Sequence, residues 1–457
     1  AMFAKALLGW AKSARLRITT GRRAWCADTT LADIENEGTR TSRDFDATSP
    51  DDIAAILFTS GSTGVPKGVV YRHRHFIAQI DMLRTAFGIE PGGVDLPTFP
   101  PFALFDPALG LTSIIPDMDP TRPAEADPRK LHAAIKRFGV TQLFGSPALM
   151  RVLADHGEPL DGVMRVTSAG APVPADVVAK ILQLLPDGAQ LWTPYGATEC
   201  LPVAVIEGRE LLTLRERTES GAGTCVGRPV EGNVVRIIAI TDEAIENWAD
   251  AREVPAGVVG EITVAGPSTT DVYFNREAQT RLAKIRETTT NGDARIVHRM
   301  GDLGYFDREG RLWFCGRKSQ RVVVDAATTL CTEQVEPVFN THPDVARTAL
   351  VGVPRAAADA GLQLSRGDNG QLRHARSEAG MSPVLCVELR QGVAESEWPR
   401  IEAELRRMAD GFVHTAKVAR FIRYPRKFPV DIRHNAKIGR EKLATWAAKQ
   451  PGEGSST

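Results

Sequence analysis

Ten residues constrain this chain of 457 more than any others: Thr59-Ser60-Gly61-Ser62-Thr63-Gly64-Val65-Pro66-Lys67-Gly68. Three glycines, four hydroxyls and a lysine stand together there. The apolar run Ile53–Phe58 before them is long enough for one buried strand, and Val69-Val70-Tyr71 after them suits a second. Glycines let a backbone turn tightly and bring its N–H groups close to an anion. The hydroxyls add donors and the lysine a point charge, which together hold a polyphosphate. A Walker A loop would need Gly-Lys-Ser/Thr at its end, whereas Pro66 precedes Lys67 here and Gly68 follows it. A flexible Ser/Gly linker is the alternative, and the flanking strand signals weigh against it.

Four further stretches carry chemistry. In Tyr195-Gly196-Ala197-Thr198-Glu199 a carboxylate at a strand end offers Mg²⁺ a hard oxygen ligand. Thr198 can hydrogen-bond an α-phosphate, and the Tyr195 ring can stack on adenine. Gly301-Asp302 places two acceptors where a ribose diol could meet them, and Gly316-Arg317 follows fifteen residues later with a planar cation for ribose or phosphate. Ser168-Ala169-Gly170-Ala171-Pro172 is a strand-to-helix turn of a common kind. Phe428–Leu443 contains Lys437 in a polar setting. Cys200 is read as a packing residue, because no histidine is near it in sequence and no charge argues for a thiolate.

Lys+Arg and Asp+Glu are both 56, so no basic surplus argues for nucleic acid. No run approaches the ~20 apolar residues of a membrane span, and Met2–Trp10 reads as a short helix rather than a signal peptide. Six scattered cysteines without a Cys-x-x-Cys pair suggest reduced thiols in the cytoplasm. Helices are expected over His75–Phe87 (apolar face Phe76, Ile80, Leu83, Phe87), from Asp127, over Ala175–Leu185, from Glu333 and over Glu397–Met408. Strands are expected over Val140–Phe144, Val163–Thr167, Arg347–Val353 and Val384–Leu389. Val234–Ile240 and Gly260–Ala265 suggest a small β-rich subdomain, and residues 354–383 a mobile loop.

The order Thr-Ser-Gly-Ser-Thr-Gly-x-Pro-Lys-Gly, followed by Tyr-Gly-x-Thr-Glu, Gly-Asp, Gly-Arg and the late lysine, resembles the adenylate-forming superfamily of acyl-CoA synthetases, luciferases and peptide-synthetase adenylation domains. The resemblance covers the chain from about residue 50 onward. It implies an α/β fold: a large domain with a β-rich subdomain over residues 1–317, a hinge at 318–321, and a small mobile α+β lid over 322–457. It implies ATP and Mg²⁺ as cofactors, with Thr59 to Gly64 and Lys67 on the phosphates and Gly170-Ala171-Pro172 against adenine. Tyr195, Gly196, Thr198, Asp302 and Arg317 complete the nucleotide site, Glu199 is the metal ligand, and Lys437 reaches in from the lid. Lys67, Thr198, Glu199 and Lys437 are then the catalytic set.

Departures from the pattern are equally specific. Superfamily members have over a hundred residues before the phosphate loop, so the large domain is expected to be N-terminally incomplete. Ser319 stands at the pivot, Ala103 where an acyl-pocket histidine is common, and Ala436 where glycine usually precedes the lysine. Val322–Leu330 lacks the glycine that lines the thioester tunnel of CoA-using members.

The wording of Phe99–Pro107, Thr193–Pro202 and Pro429–Leu443 is similar to the β-lactone synthetases of bacterial long-chain olefin biosynthesis (the OleC family). That likeness implies activation of a 2-alkyl-3-hydroxy fatty acid as its adenylate, then attack by its own 3-hydroxyl. It also implies assembly with other enzymes of that pathway. His73, His75 and His434 neighbour the motifs, with a solvated surface role expected for each. The alternatives are a long-chain acyl-CoA synthetase, an acyl-AMP ligase, and a nucleotide-binding scaffold without turnover.

Overall fold

The computed structural model describes residues 15–40, 47–59, 66–354, 380–418, 420–430 and 438–450. Residues 1–52 and 53–457 form two compact units. In the first, β1 (Ile18–Thr19) pairs in parallel with β2 (Thr29–Thr30), and α1 (Leu31–Gly38) follows. Thr30 caps α1 reciprocally: its hydroxyl accepts from the Asp33 amide, and the Asp33 carboxylate accepts from the Thr30 amide. The helix expected over Met2–Trp10 lies outside the described residues.

The second unit opens with β3 (Ile53–Thr59) and β4 (Lys67–Arg72), an antiparallel ribbon whose last pair is Thr59 opposite Lys67. The expectation of a buried strand at Ile53–Phe58 is corrected: Ile53 is 56% exposed and Phe58 70%. The reason is that β3 pairs with β4 alone, so the buried strand is β4, where Val69, Val70 and Tyr71 lie in the core. The helix α2 (His73–Phe87) then buries His75, Gln79, Met82 and Phe87, a stripe offset from the expected apolar one. Its polar members each find hydrogen-bond partners on one side. His75 Nδ1 accepts from the Arg72 amide at 3.0 Å, and Gln79 donates to the Tyr71 hydroxyl and the Leu201 carbonyl, each at 3.2 Å. His75 is therefore a buried capping group rather than a surface one, and burial lowers its pKa to about 4.

Next come β5 (Val94–Pro97), β6 (Thr112–Ser113), α3 (Pro128–Phe138), β7 (Gln142–Gly145), α4 (Pro147–His156), β8 (Arg165–Ser168), α5 (Ala175–Leu184) and β9 (Gln190–Ala197). The sequence starts these helices by familiar means. Asp127 and Ser146 accept amides of the first turns of α3 and α4, and proline occupies the first helical position of each. Strands β5 to β9 pair in parallel in the order β6-β5-β7-β8-β9. One face of the helices meets the sheet in a core of Leu131, Ile135, Leu143, Leu149, Leu153, Val166, Ile181 and Leu191.

At Thr198–Glu199 the chain reverses into β10 (Cys200–Glu207), and the sheet turns antiparallel. It continues through β11 (Thr224–Pro229), β12 (Val234–Ile238), β13 (Gly260–Ala265), β14 (Lys284–Thr288), β15 (Ala294–Phe306) and β16 (Leu312–Arg317). Their order is β12-β13-β15-β16-β11-β10-β9, with β14 on the side of β15. The β-rich part is thus hydrogen-bonded to the parallel strands as one twelve-stranded sheet.

The remaining elements are β17 (Val322–Val323), β18 (Thr329–Leu330), α6 (Thr332–Asn340), β19 (Val345–Pro354), β20 (Met381–Leu389), α7 (Trp398–Ala409), β21 (Arg420–Arg423) and α8 (Arg440–Ala447). The helices pack on a three-stranded sheet in the order β19-β20-β21. Strand β20 begins at Met381, earlier than expected, because Met381 pairs with Pro354. Residues 355–379 of the expected loop lie outside the described residues.

Candidate active site

Strands β15 and β16 place Asp302 directly opposite Arg317, so a fifteen-residue spacing becomes one cross-strand pair. Arg317 Nη1 lies 2.9 Å from Asp302 Oδ1, and the Tyr195 hydroxyl, from β9, donates to Oδ2 at 2.6 Å. Burial raises the pKa of the Asp302 carboxyl, and the Arg317 charge offsets part of that. Burial, then the charge of Asp302, pushes the Tyr195 phenol well up, so it remains a donor. The motif assigns the Tyr195 ring to adenine; the structure adds a fixed partner for its hydroxyl.

Thr198 and Glu199 form the turn between β9 and β10. The Tyr71 hydroxyl donates to the Thr198 carbonyl at 2.5 Å. The Thr270 amide and hydroxyl both donate to the Glu199 carbonyl at 2.9 Å. Tyr273 donates its hydroxyl to Glu199 Oε1 at 2.6 Å, and Lys67 Nζ stands 5.1 Å from the centre of the Tyr273 ring. The same segment is hydrogen-bonded to β4: the Phe274 amide donates to the Gly68 carbonyl at 2.7 Å and the Val70 amide to the Val272 carbonyl at 3.2 Å. One tyrosine thereby registers the strand that leaves the phosphate loop against the turn that carries Glu199.

Behind this turn lies Lys284. It is buried and donates to the Thr270 carbonyl, and to the Thr270 hydroxyl at 3.2 Å. Burial lowers its pKa to about 8, with the charge of Glu199 working in the opposite direction. Tyr71, Thr270, Tyr273 and Lys284 escape a reading by motif. Tyr273 stands in no motif, and the one signal for Lys284 is a lone lysine opening an otherwise strand-like run.

Gly170, Ala171 and Pro172 leave the carboxyl end of β8, the neighbour of β9, and Gly170 takes φ +100°, which an L side chain rarely adopts. Gly196 is needed for close approach: a Cβ there would lie 2.9 Å from the Leu201 Cβ. Cys200 is buried beside Thr269 with its thiol pKa raised by burial, as a packing residue should be. Of the phosphate loop, Thr59 and Lys67 are described; Ser60, Gly61, Ser62, Thr63 and Gly64 lie outside the described residues, as do Lys437 and His434. The structure therefore brings together two clusters, Lys67–Tyr273–Glu199 and Tyr195–Asp302–Arg317. They are close enough for the charge of Glu199 to act on both Asp302 and Arg317.

These groups fit a magnesium nucleotide. Asp302 Oδ1 is buried with Arg317 as its ion-pair partner, and the Ser168 hydroxyl at the end of β8 is buried without a hydrogen-bond partner. A carboxylate oxygen has more than one acceptor site, so a ribose hydroxyl can donate to Asp302 beside Arg317. Glu199 has one oxygen held by Tyr273, which leaves the other for a hard cation.

Comparison with known proteins gives the same direction. A family model described as AMP-binding enzyme matches residues 5–274. An olefin beta-lactone synthetase of Xanthomonas campestris pv. campestris is 64% identical over 450 residues, spanning 98% of this chain and 77% of that protein. An olefin beta-lactone synthetase of Stenotrophomonas maltophilia is 62% identical over 447 residues, spanning 98% and 76%. Among solved structures, an amide bond synthetase from Marinactinospora thermotolerans shares the fold, with a TM-score of 0.68 at 23% identity over 97% of this chain and 78% of that one. So does O-succinylbenzoate coenzyme A synthetase from Bacillus subtilis in complex with ATP and magnesium ion, with a TM-score of 0.65 at 17% identity over 97% and 82%.

Proposed function

Because the chain belongs to the AMP-binding enzyme family, and within it to the olefin β-lactone synthetases, we propose that its two clusters bind MgATP for lactone formation. The protein is an ATP-dependent ligase that activates a 2-alkyl-3-hydroxy fatty acid. A carboxylate oxygen attacks the α-phosphorus and the bond to pyrophosphate breaks, leaving an acyl-adenylate. The substrate's 3-hydroxyl oxygen then attacks the acyl carbon, its proton departs, and AMP leaves as the four-membered lactone closes.

Each side chain has a defined part in this reading. Asp302 and Arg317 take the ribose, with Tyr195 holding Asp302 in place and Gly170-Ala171-Pro172 lining the adenine. Thr198 meets the α-phosphate, and Thr59 to Gly64 with Lys67 cradle the β- and γ-phosphates. Glu199, fixed by Tyr273, is the metal ligand. Mg²⁺, when bound, offsets charge on the triphosphate and on the departing pyrophosphate. Lys437 stabilises the charge that develops at the carboxylate and α-phosphate. Residues 1–317 form the nucleotide-binding domain, 318–321 the hinge and 322–457 the lid.

An internal nucleophile needs no second substrate, and holding it against the carbonyl supplies an effective concentration on the order of 10⁵ M or more. The absence of the tunnel glycine in Val322–Leu330 suits a reaction without CoA. We assign the cytoplasm as compartment, supported by six free cysteines, and association with other olefin-pathway enzymes, supported by the likeness alone. No helix among the described residues is long and apolar enough to cross a membrane.

The observation that carries this reading is the buried Tyr195–Asp302–Arg317 group, in a chain so similar to lactone synthetases. Supplying ATP, Mg²⁺ and matched acids with and without the 3-hydroxyl tests it. Lactone and AMP are expected from the first, and at most a trapped adenylate from the second. Equal turnover of both acids would overturn it.

A further inference from the structure

Away from the nucleotide groups, α3 and α4 bring two histidines and a glutamate together. His132 lies on the inward face of α3 with Leu131 and Ile135, and is only 8% exposed. His156 is the last residue of α4. Gly157 follows with φ +76°, turning the chain so that Glu158 Oε2 lies 3.0 Å from His156 Nε2. The two imidazole rings stand 5.3 Å apart between centres. One ligand atom from each of the three residues falls within 4.8 Å of the others.

A second observation points to a ligand. His132 Nε2 is buried and has no hydrogen-bond partner among the described residues. Leaving a buried polar nitrogen unpaired costs about 1–3 kcal/mol, a cost that a bound metal would remove. The surroundings favour a cation, since α4 ends here with its negative pole, and Glu158 and Asp161 both act on His132 with negative charge.

We propose that His132, His156 and Glu158 form a binding site for a divalent transition metal of the Zn²⁺ class, joining the end of α4 to the face of α3. Two imidazoles and one carboxylate suit Zn²⁺, whereas Mg²⁺ and Ca²⁺ call for oxygen ligands. Three protein ligands leave a fourth position to water. With bonds of about 2.0–2.2 Å, ligand atoms of a tetrahedral site stand roughly 3.4 Å apart, so the group contracts on binding. Buried His132 is the fixed anchor, and the more exposed His156 and Glu158 supply the movement. The metal acts as a clamp between two helices that cover the parallel sheet and takes no part in adenylation.

Titrating Zn²⁺ into the full chain without nucleotide, with Co²⁺ as a spectroscopic substitute, tests the site. One equivalent should bind at micromolar concentration or below, raise Tm by several degrees and give the visible absorption of four-coordinate Co²⁺. His156→Ala and Glu158→Gln, at partly exposed positions, should each weaken binding about tenfold or more and abolish the Tm shift. Both should release pyrophosphate from MgATP and the 3-hydroxy acid at the unaltered rate. Absence of Zn²⁺ binding, a six-coordinate Co²⁺ spectrum, or equal binding by wild type and both variants would overturn the proposal.

Discussion

Tyr273 holds Glu199: its hydroxyl donates to Oε1 at 2.6 Å while its ring faces the ammonium of Lys67 at 5.1 Å. The carboxylate read as the metal ligand is therefore aimed from a segment 74 residues further along the chain. Tyr273→Phe keeps the ring and its contact with Lys67 and removes only the donor. A hydrogen bond to a charged group contributes about 1.5–3 kcal/mol, so the Mg²⁺ concentration needed for half-maximal pyrophosphate release should rise about tenfold or more. Metal-free nucleotide binding should be unchanged. An unaltered Mg²⁺ dependence would show that Tyr273 does not position Glu199.

Asp302 Oδ1 is ion-paired with Arg317 at 2.9 Å and, as a carboxylate oxygen, retains an acceptor site for a ribose hydroxyl. If the ribose diol occupies it, wild type should lose about 10- to 100-fold in ATP affinity when offered 2′,3′-dideoxy-ATP. Asp302→Ala should bind ATP more weakly yet bind both nucleotides equally, the non-additivity expected of groups in contact. Removing one partner of the ion pair also lowers stability, so both proteins are compared well below their melting temperatures. A dideoxy penalty of the same size in both would place the ribose elsewhere.

What was legible in the sequence shares one property. The phosphate loop, the Thr198–Glu199 turn and the Asp302–Arg317 pair are contiguous, or lie on one hairpin, so their chemistry is compressed into short strings. Tyr273 and Lys284 act on Glu199 and Thr270 through tertiary contact, and nothing next to them in sequence marks that role. The buried stripe of α2 departs from its apolar periodicity for a related reason. His75 and Gln79 are polar by composition, yet they hydrogen-bond to Arg72, Tyr71 and Leu201, partners that periodicity does not show. Strand β3 has the apolar content of a core strand, but only its pairing shows that β4 alone covers its edge.

Lys284 gives a pH signature. Its pKa falls from an ordinary 10.5 to about 8 on folding. Between those two values the unfolded chain binds more protons than the folded one, so stability rises with pH across that window. Below pH 8 both states carry the charge, and its burial is a constant cost. Lys284→Met removes this dependence. Urea unfolding at pH 7, 8 and 9.5 should show wild type gaining stability relative to the variant only over the upper interval. A constant difference from pH 7 to 9.5 would mean that the lysine is not desolvated.

Lys437 lies outside the described residues, but the chain on both sides of it is anchored at one place. Val430 bridges to Ile438, the Gly439 amide donates to the Pro429 carbonyl at 2.7 Å, and Arg440 pairs with Glu336 of α6, with Nη2 at 2.8 Å from Oε2. That arrangement separates two kinds of failure. Lys437→Ala removes a charge needed only while the carboxylate attacks, so adenylate formation should fall to background with ATP binding and Tm unchanged. Arg440→Met strips the partner from buried Glu336, a loss of about 3–5 kcal/mol, and should lower Tm by several degrees along with activity. Pyrophosphate exchange, calorimetric ATP titration and thermal melts on both variants distinguish the cases. A Lys437→Ala enzyme that still exchanges pyrophosphate at the wild-type rate would remove that lysine from the reaction and leave the anchored segment a purely structural one.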